Sequence, residues 1–283
     1  MLSERRIDLE RVSLSAVSGP TSGPPLALFH GVTRRWQSFL PVLPQLTMRW
    51  QIKAWDARGH GESGRATGYR VCDYVEDACG FVRTEFARPG VLYGHSLGAM
   101  VALATAAELP ELVSAVVLED PPFDTMGTRI RETALYSFFE GLLPFAGHSR
   151  AMRAVAEDLA EIRIRVPGRD QSARLGDSRD ATSLRFTARC LAQLDPEVFR
   201  PVLDGSWLIG FDLPVILQRV KCPVLLLQAD AACGGMLTDA DADLLVANLP
   251  DCTRIRFPNS PHLIHWAQTE TLLRHVVGFL ETL

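Results

Sequence analysis

The chain has 283 residues, 47% of them hydrophobic, enough to bury a large core in one catalytic domain carrying an insertion. A formal net charge of −4 argues against nucleic acid or an anionic membrane as partner, because both are held by a basic surface; a small-molecule substrate is expected instead. No apolar run reaches the length of a spanning helix, and none follows Met1-Leu2-Ser3-Glu4-Arg5-Arg6, so the protein is read as cytoplasmic, with no membrane association.

Strand and helix signals alternate from early in the chain. Residues 11–17 alternate like a half-exposed strand, and a Gly/Pro/Ser cluster over 19–25 reads as a turn. Leu26-Ala27-Leu28-Phe29 is an apolar run of the kind buried on both faces, ending in His30-Gly31-Val32. Helical spacing over 36–46 precedes a second such run over 51–55, which ends in Asp56-Ala57-Arg58-Gly59-His60-Gly61-Glu62-Ser63. A helix is predicted over 73–86. Val91-Leu92-Tyr93 then leads into Gly94-His95-Ser96-Leu97-Gly98 and an Ala-rich helix to residue 109. The next buried strand, over 112–118, ends in Glu119-Asp120-Pro121-Pro122. Such alternation implies an α/β fold with a parallel sheet covered on both faces and a site at the strands' C-terminal ends.

The rhythm breaks over 123–212, where no strand is predicted. Helices are expected over 129–143 and 151–164, followed by a polar stretch over 167–182. Twelve arginines and thirteen acids over 123–212 read mostly as a solvated surface, while Phe123, Tyr136 and Trp207 are candidates for lining a pocket as well as for packing. Sheet signals return over 222–228 and 252–257, separated by a helix over 239–248 with Thr238 as N-cap. A closing helix over 269–283 carries an apolar face. The expected organisation is therefore a core domain of residues 1–122 and 213–283 interrupted by a helical lid over 123–212. Six scattered cysteines show no Cys-x-x-Cys and no paired His spacing, so neither a metal site nor a disulfide framework is expected, and no cofactor motif is present.

Gly94-x-Ser96-x-Gly98 between a strand and a helix reads as a sharp turn that projects Ser96 above the sheet, with small residues where strand and helix must approach. Together with His30-Gly31, Asp56-x-Arg58-Gly59-His60-Gly61-x-Ser63 and Pro261-His262, it makes the chain resemble an α/β-hydrolase fold enzyme from about residue 10 to its end. The resemblance implies a mostly parallel, doubly wound sheet of about eight strands with an inserted helical lid. It also implies a nucleophile, an acid and a base in that chain order.

Carried onto this sequence, Ser96 is the nucleophile and His262 the base, with His265 as the competing histidine. His30 and His60 brace loops, and His95, read as following the helix start, lines the pocket wall. Most relatives place the acid in a Gly-x-x-Asp after the strand that follows the lid, where this chain has Ala232. Asp230 lies two residues too early. Asp120, at the end of the strand after the nucleophile helix, is preferred as the acid and Asp230 is the alternative. The oxyanion hole is assigned to the backbone N–H groups of Leu97 and Val32. The expected activity is hydrolysis of a small carboxylic ester through an acyl-serine intermediate. Amide or C–C cleavage of a small carboxylate shares the same machinery, and the acid position resembles that of an amide-cleaving member that binds a dicarboxylate. A ligand-binding relative with little turnover is the alternative of another class.

Overall fold

A computed structural model describes residues 2–127, 130–165 and 172–283. The strands are β1 (Ser3–Asp8), β2 (Ser13–Gly19), β3 (Pro25–Phe29), β4 (Gln51–Trp55), β5 (Gly90–His95), β6 (Val113–Glu119), β7 (Arg163–Arg165), β8 (Ser172–Arg174), β9 (Val224–Ala229) and β10 (Cys252–Phe257). Eight of them form one sheet in the order β1-β2-β4-β3-β5-β6-β9-β10. β2 pairs antiparallel with both β1 and β4, and every other pairing in this sheet is parallel.

The helices are α1 (Leu43–Leu46), α2 (Val71–Glu85), α3 (Leu97–Glu108), α4 (Ala134–Leu142), α5 (Met152–Glu161), α6 (Ala181–Ala192), α7 (Phe199–Asp204), α8 (Leu213–Arg219), α9 (Asp239–Asn248), α10 (Ile264–Ala267) and α11 (Thr269–Leu280). Among the described residues, none is long and apolar enough to cross a membrane. Every residue of β3 and β5 is buried, because helices cover both faces of the sheet. One apolar cluster gathers Leu14, Phe29, Trp55 and Leu92 with α2 and α3; the other gathers Val17, Leu28, Ile52 and Tyr93 with α11. Each Leu or Phe so buried contributes roughly 1.5–3 kcal/mol.

Where the chain departs from expectation, the causes are local. β1 was not predicted because five of its six residues are exposed, and it is held by its ladder with β2 rather than by an apolar face. The helix expected over 36–46 is a 3₁₀ turn, Trp36–Phe39, followed by α1, since Pro41 and Pro44 remove amide donors from any longer ladder. After α5 the chain forms an antiparallel ribbon of β7 and β8 where no strand was predicted; three residues per strand are too few to show alternation. Of the polar stretch expected over 167–182, residues 167–171 lie outside the described residues, as does the first residue of the helix expected over 129–143. α4 begins instead at Ala134, with the Thr133 hydroxyl accepting from Leu135 N–H. α9 starts where predicted, capped by Thr238.

The element that positions the site is the crossing of β5 into α3. An added Cβ at Gly94 would collide with the Gly98 carbonyl, and one at Gly98 with the carbonyl of Phe29 in β3. Strand and helix therefore meet backbone to backbone. Gly98→Ala should lower stability by at least ~1–3 kcal/mol, because the obstruction is main chain and cannot rotate away. Gly278, exposed on α11 with nothing near its would-be Cβ, gives the opposite sign: Gly278→Ala should stabilise by about 0.5–1 kcal/mol. Urea denaturation of both variants checks the pair, and a neutral Gly98→Ala would contradict the close approach.

Candidate active site

Ser96 occupies the turn between β5 and α3 with φ 56° and ψ −119°, a left-handed conformation that is costly for a residue with a Cβ. Its own N–H donates to Glu119 O at 2.9 Å, which ties the turn to the end of β6. Leu97 is the first residue of α3, so its N–H lacks an intrahelical partner. Across from it runs the loop after β3, where a Cβ on Gly31 would come within 3.0 Å of Ser96 Cβ and 2.9 Å of His95 Nδ1. The glycine lets that loop bring Val32 beside the turn. Among the described residues neither Val32 N–H nor Leu97 N–H donates to a protein acceptor.

Two adjacent acids at the end of β6 each take a histidine from the segment after β10. Asp120, fully buried and at φ 46°, accepts from His262 Nδ1 at 2.6 Å. The same carboxylate accepts Met236 N–H at 2.8 Å and the N–H groups of Ala229 and Leu237 at 3.2 Å each. Those donors hold both oxygens in place. Glu119 points to the other side. It accepts from His265 Nδ1 at 2.7 Å, from His265 N–H at 3.0 Å and from Tyr93 OH at 2.6 Å, all buried. Burial and the neighbouring Glu119 hold the Tyr93 phenol well above its ordinary range. His265 is thus locked inside the core at the start of α10, while the His262 side chain remains 16% exposed.

Asp230 does not pair with a histidine. Its carboxylate accepts Ala232 N–H and Asn259 N–H, both at 2.9 Å, and its carbonyl accepts Gly235 N–H at 2.8 Å. It joins the turn after β9 to the loop that carries His262. His30 Nε2 accepts Ala57 N–H at 3.0 Å, and His60 Nε2 accepts Thr33 N–H at 3.2 Å. The two imidazoles cross-link the loops after β3 and β4. Burial pushes His30 down to about 4, and burial reinforced by His30 pushes His60 down to about 3. His95 is the last residue of β5 rather than a residue past the helix start, because the helical turn begins only after Ser96. Its ring lies 4.6 Å from that of His262. Burial, then the His262 and His265 rings, hold it neutral.

Ser96, His95, His262, Val32 and Ala232 all border one cavity of about 480 Å³. Its far wall comes from the segment between β6 and β9, through residues such as Leu135, Phe138, Ile164 and Arg179. Three residues predicted to line it do not. Phe123 borders a separate cavity of about 540 Å³ with Phe211. Tyr136, in α4, does not border the Ser96 cavity, and the Arg131 guanidinium lies 5.6 Å from its ring centre. Trp207 is fully buried in the core. Each is apolar enough to have been drawn into packing. Arg34 and Arg179, which do line the cavity, were missed: Arg179 was read with the arginines of 123–212 as solvated surface, and Arg34 was not singled out although it stands only two residues past Val32.

The histidine cross-links carry a pH signature. Because the folded-state pKa of His30 lies below the ordinary value, the unfolded chain binds more protons between about pH 6.5 and pH 4, so stability falls as pH falls through that window. The loss attributable to His30 approaches ~3 kcal/mol by pH 4. Denaturation free energies measured from pH 7 to pH 4.5 should decline, and His30→Gln should flatten the slope by up to about 1.4 kcal/mol per pH unit. An unchanged slope would remove His30 as a source of acid lability.

The chain is 28% identical to 2-(acetamidomethylene)succinate hydrolase of Mesorhizobium japonicum over 98% of its length and 95% of the relative's. It is 32% identical to the magnesium-chelatase 30 kDa subunit of Rhodobacter capsulatus, over 93% of this chain and 89% of that one. The crystal structure of E-2-(acetamidomethylene)succinate hydrolase superposes with a TM-score of 0.75 at 25% identity, covering 99% of this chain and 100% of the other. A model of the alpha/beta hydrolase fold family matches residues 24–267, from just before β3 to the end of α10, and the chain belongs to that family.

Proposed function

We propose that the protein is a serine hydrolase that cleaves a small carboxylic ester through an acyl-Ser96 intermediate. The observation that carries this reading is the 2.6 Å hydrogen bond from His262 to the buried Asp120, with Ser96 on the same cavity. Asp120 holds the proton on Nδ1, which leaves Nε2 free to act as base. In this mechanism Nε2 takes the Ser96 hydroxyl proton as Oγ attacks the acyl carbon. The oxyanion is received by the N–H groups of Val32 and Leu97, and loss of one donor in such a hole typically costs roughly 2.7–4 kcal/mol of barrier. His262 then passes the proton to the departing alkoxide. A water activated by the same imidazole hydrolyses the acyl-serine to the acid and regenerates Ser96. Residues 123–212 act as a lid that closes the outer wall of the cavity.

A second reading, cleavage of an amide by the same steps, is supported by the full-length likeness to a hydrolase whose substrate name contains an acetamido group. The two differ only in the leaving group that receives the proton.

Ser96→Ala should abolish hydrolysis of a panel of short p-nitrophenyl esters while circular dichroism and melting temperature stay close to wild type, since removing a hydroxyl at a turn leaves no core cavity. Turnover retained by folded Ser96→Ala would end the serine mechanism. If Asp120 orients His262, Asp120→Asn should lower kcat by about 10⁴, as a tautomer-disrupting change does in a comparable arrangement. Asp230→Asn, which gives up one side-chain acceptor of a backbone N–H, should cost far less. Steady-state kinetics on both folded variants separates them, and a crippled Asp230→Asn beside an active Asp120→Asn would reverse the assignment.

A further inference from the structure

The Ser96 cavity contains two arginines that, among the described residues, make no ion pair. Arg34 is 7% exposed; its Nη1 donates to the neutral Thr187 hydroxyl at 3.0 Å, and among the described residues no carboxylate lies within ion-pair reach of it. Arg179 borders the same cavity. Its Nη1 is buried with no acceptor, and its guanidinium lies 5.7 Å from the Phe138 ring centre. Arg58, a buried arginine elsewhere in the chain, is held by both oxygens of Asp77 at 2.6 Å. An unpaired buried cation is costly, and here two face one space. Burial together with the Arg34 charge pushes Arg179 down to about 9, so each guanidinium is less favourable for the presence of the other. Asp180 also borders the cavity, but its carboxylate accepts Ser183 N–H at 2.8 Å as the N-cap of α6.

We propose that Arg34 and Arg179 form a carboxylate-binding end of the Ser96 cavity, so that the substrate is an ester or amide of an acid carrying a second, free carboxylate. The guanidinium fork matches a carboxylate with two parallel N–H donors, and a dry pocket strengthens that pairing. The free acid also places a negative charge opposite the two guanidinium groups. Arg34 follows Val32 by two residues, a backbone span of no more than about 7 Å, and both border the Ser96 cavity, so the charged end and the proposed oxyanion donor belong to one loop. Succinate, a short diacid with a second carboxylate, is the probe. The hydrolytic half of this inference rests on the serine mechanism proposed above; the binding half does not.

Calorimetry tests binding without turnover. Succinate titrated into Ser96→Ala should bind at least tenfold more tightly than succinamide, its neutral isostere, and more tightly than inorganic phosphate. Arg34→Met and Arg179→Met, which keep an apolar stem, should each weaken succinate by roughly ten- to a hundredfold. Neither should lower the melting temperature, because an unpaired buried cation is removed; an arginine with a purely structural role would show a loss. Kinetics supplies the second arm: wild type should favour monoethyl succinate over ethyl butyrate in kcat/KM, chiefly through KM, and the arginine variants should erase that ratio. Equal binding of succinate and succinamide, or tighter binding of phosphate, overturns the carboxylate site. Arginine-dependent succinate binding with no turnover of either ester leaves the carboxylate site standing and removes the serine-hydrolase reading instead.

Discussion

The constraint on which the rest of the structure depends is the left-handed turn at Ser96. A residue with a Cβ holds φ 56° only if its surroundings leave no alternative, and here the surroundings are backbone on both sides. Gly98 lies against the Phe29 carbonyl and Gly94 against Gly98, so β3, β5 and α3 meet main chain to main chain at this crossing. The strain is held by the burial of β3 and β5 from end to end. The same packing raises the serine hydroxyl to the C-terminal edge of the sheet and aims the first amide of α3 at the space above it.

From that turn outward the site is assembled by neighbouring strand ends. His95 and Glu119 are register partners across β5 and β6, so the acids closing β6 arrive beside Ser96 without any long loop. Glu119 and Asp120 then diverge, one into the core and one toward the cavity, and each holds a histidine three residues from the other's. The buried pair is structural in its consequence. His265 donates through both its ring and its backbone to Glu119, pinning the first turn of α10. That turn fixes the loop on which His262 sits, and Asp230 fixes the same loop from β9 through Asn259.

Charge divides the molecule in a related way. Ion pairs elsewhere in the core are closed, as with Arg58 and Asp77 or Lys53 and Glu85. Behind the cavity wall, Asp120 is satisfied by four donors, while among the described residues Arg34 and Arg179 make no ion pair. The negative group is therefore spoken for and the positive groups are open, and that imbalance sets what kind of molecule the cavity can hold.

The alternation of apolar runs and helical spacing was sufficient to read an α/β fold, because a sheet covered on both faces favours mostly apolar strands; β3 is such a strand, and in β4 the one buried cation, Lys53, is paired with Glu85. Gly94, Ser96 and Gly98 were equally legible, since a strand and a helix that meet this closely need glycine at the two contact positions. What the sequence could not resolve was anything whose meaning depends on a distant partner. β1 is polar and exposed and exists only through its ladder with β2. Asp120 and Asp230 are both acids at strand ends, and only the three-dimensional course of the loop after β10 brings a histidine to one and backbone amides to the other. Trp207 looked like a ligand contact and lies in the core, whereas Arg179 looked like surface and lies on the cavity with Arg34, to which the sequence drew no attention. Local chemistry is written in neighbouring residues and can be read from them; burial and pairing are set by contacts across a hundred or more positions, and those come into being only when the chain closes on itself.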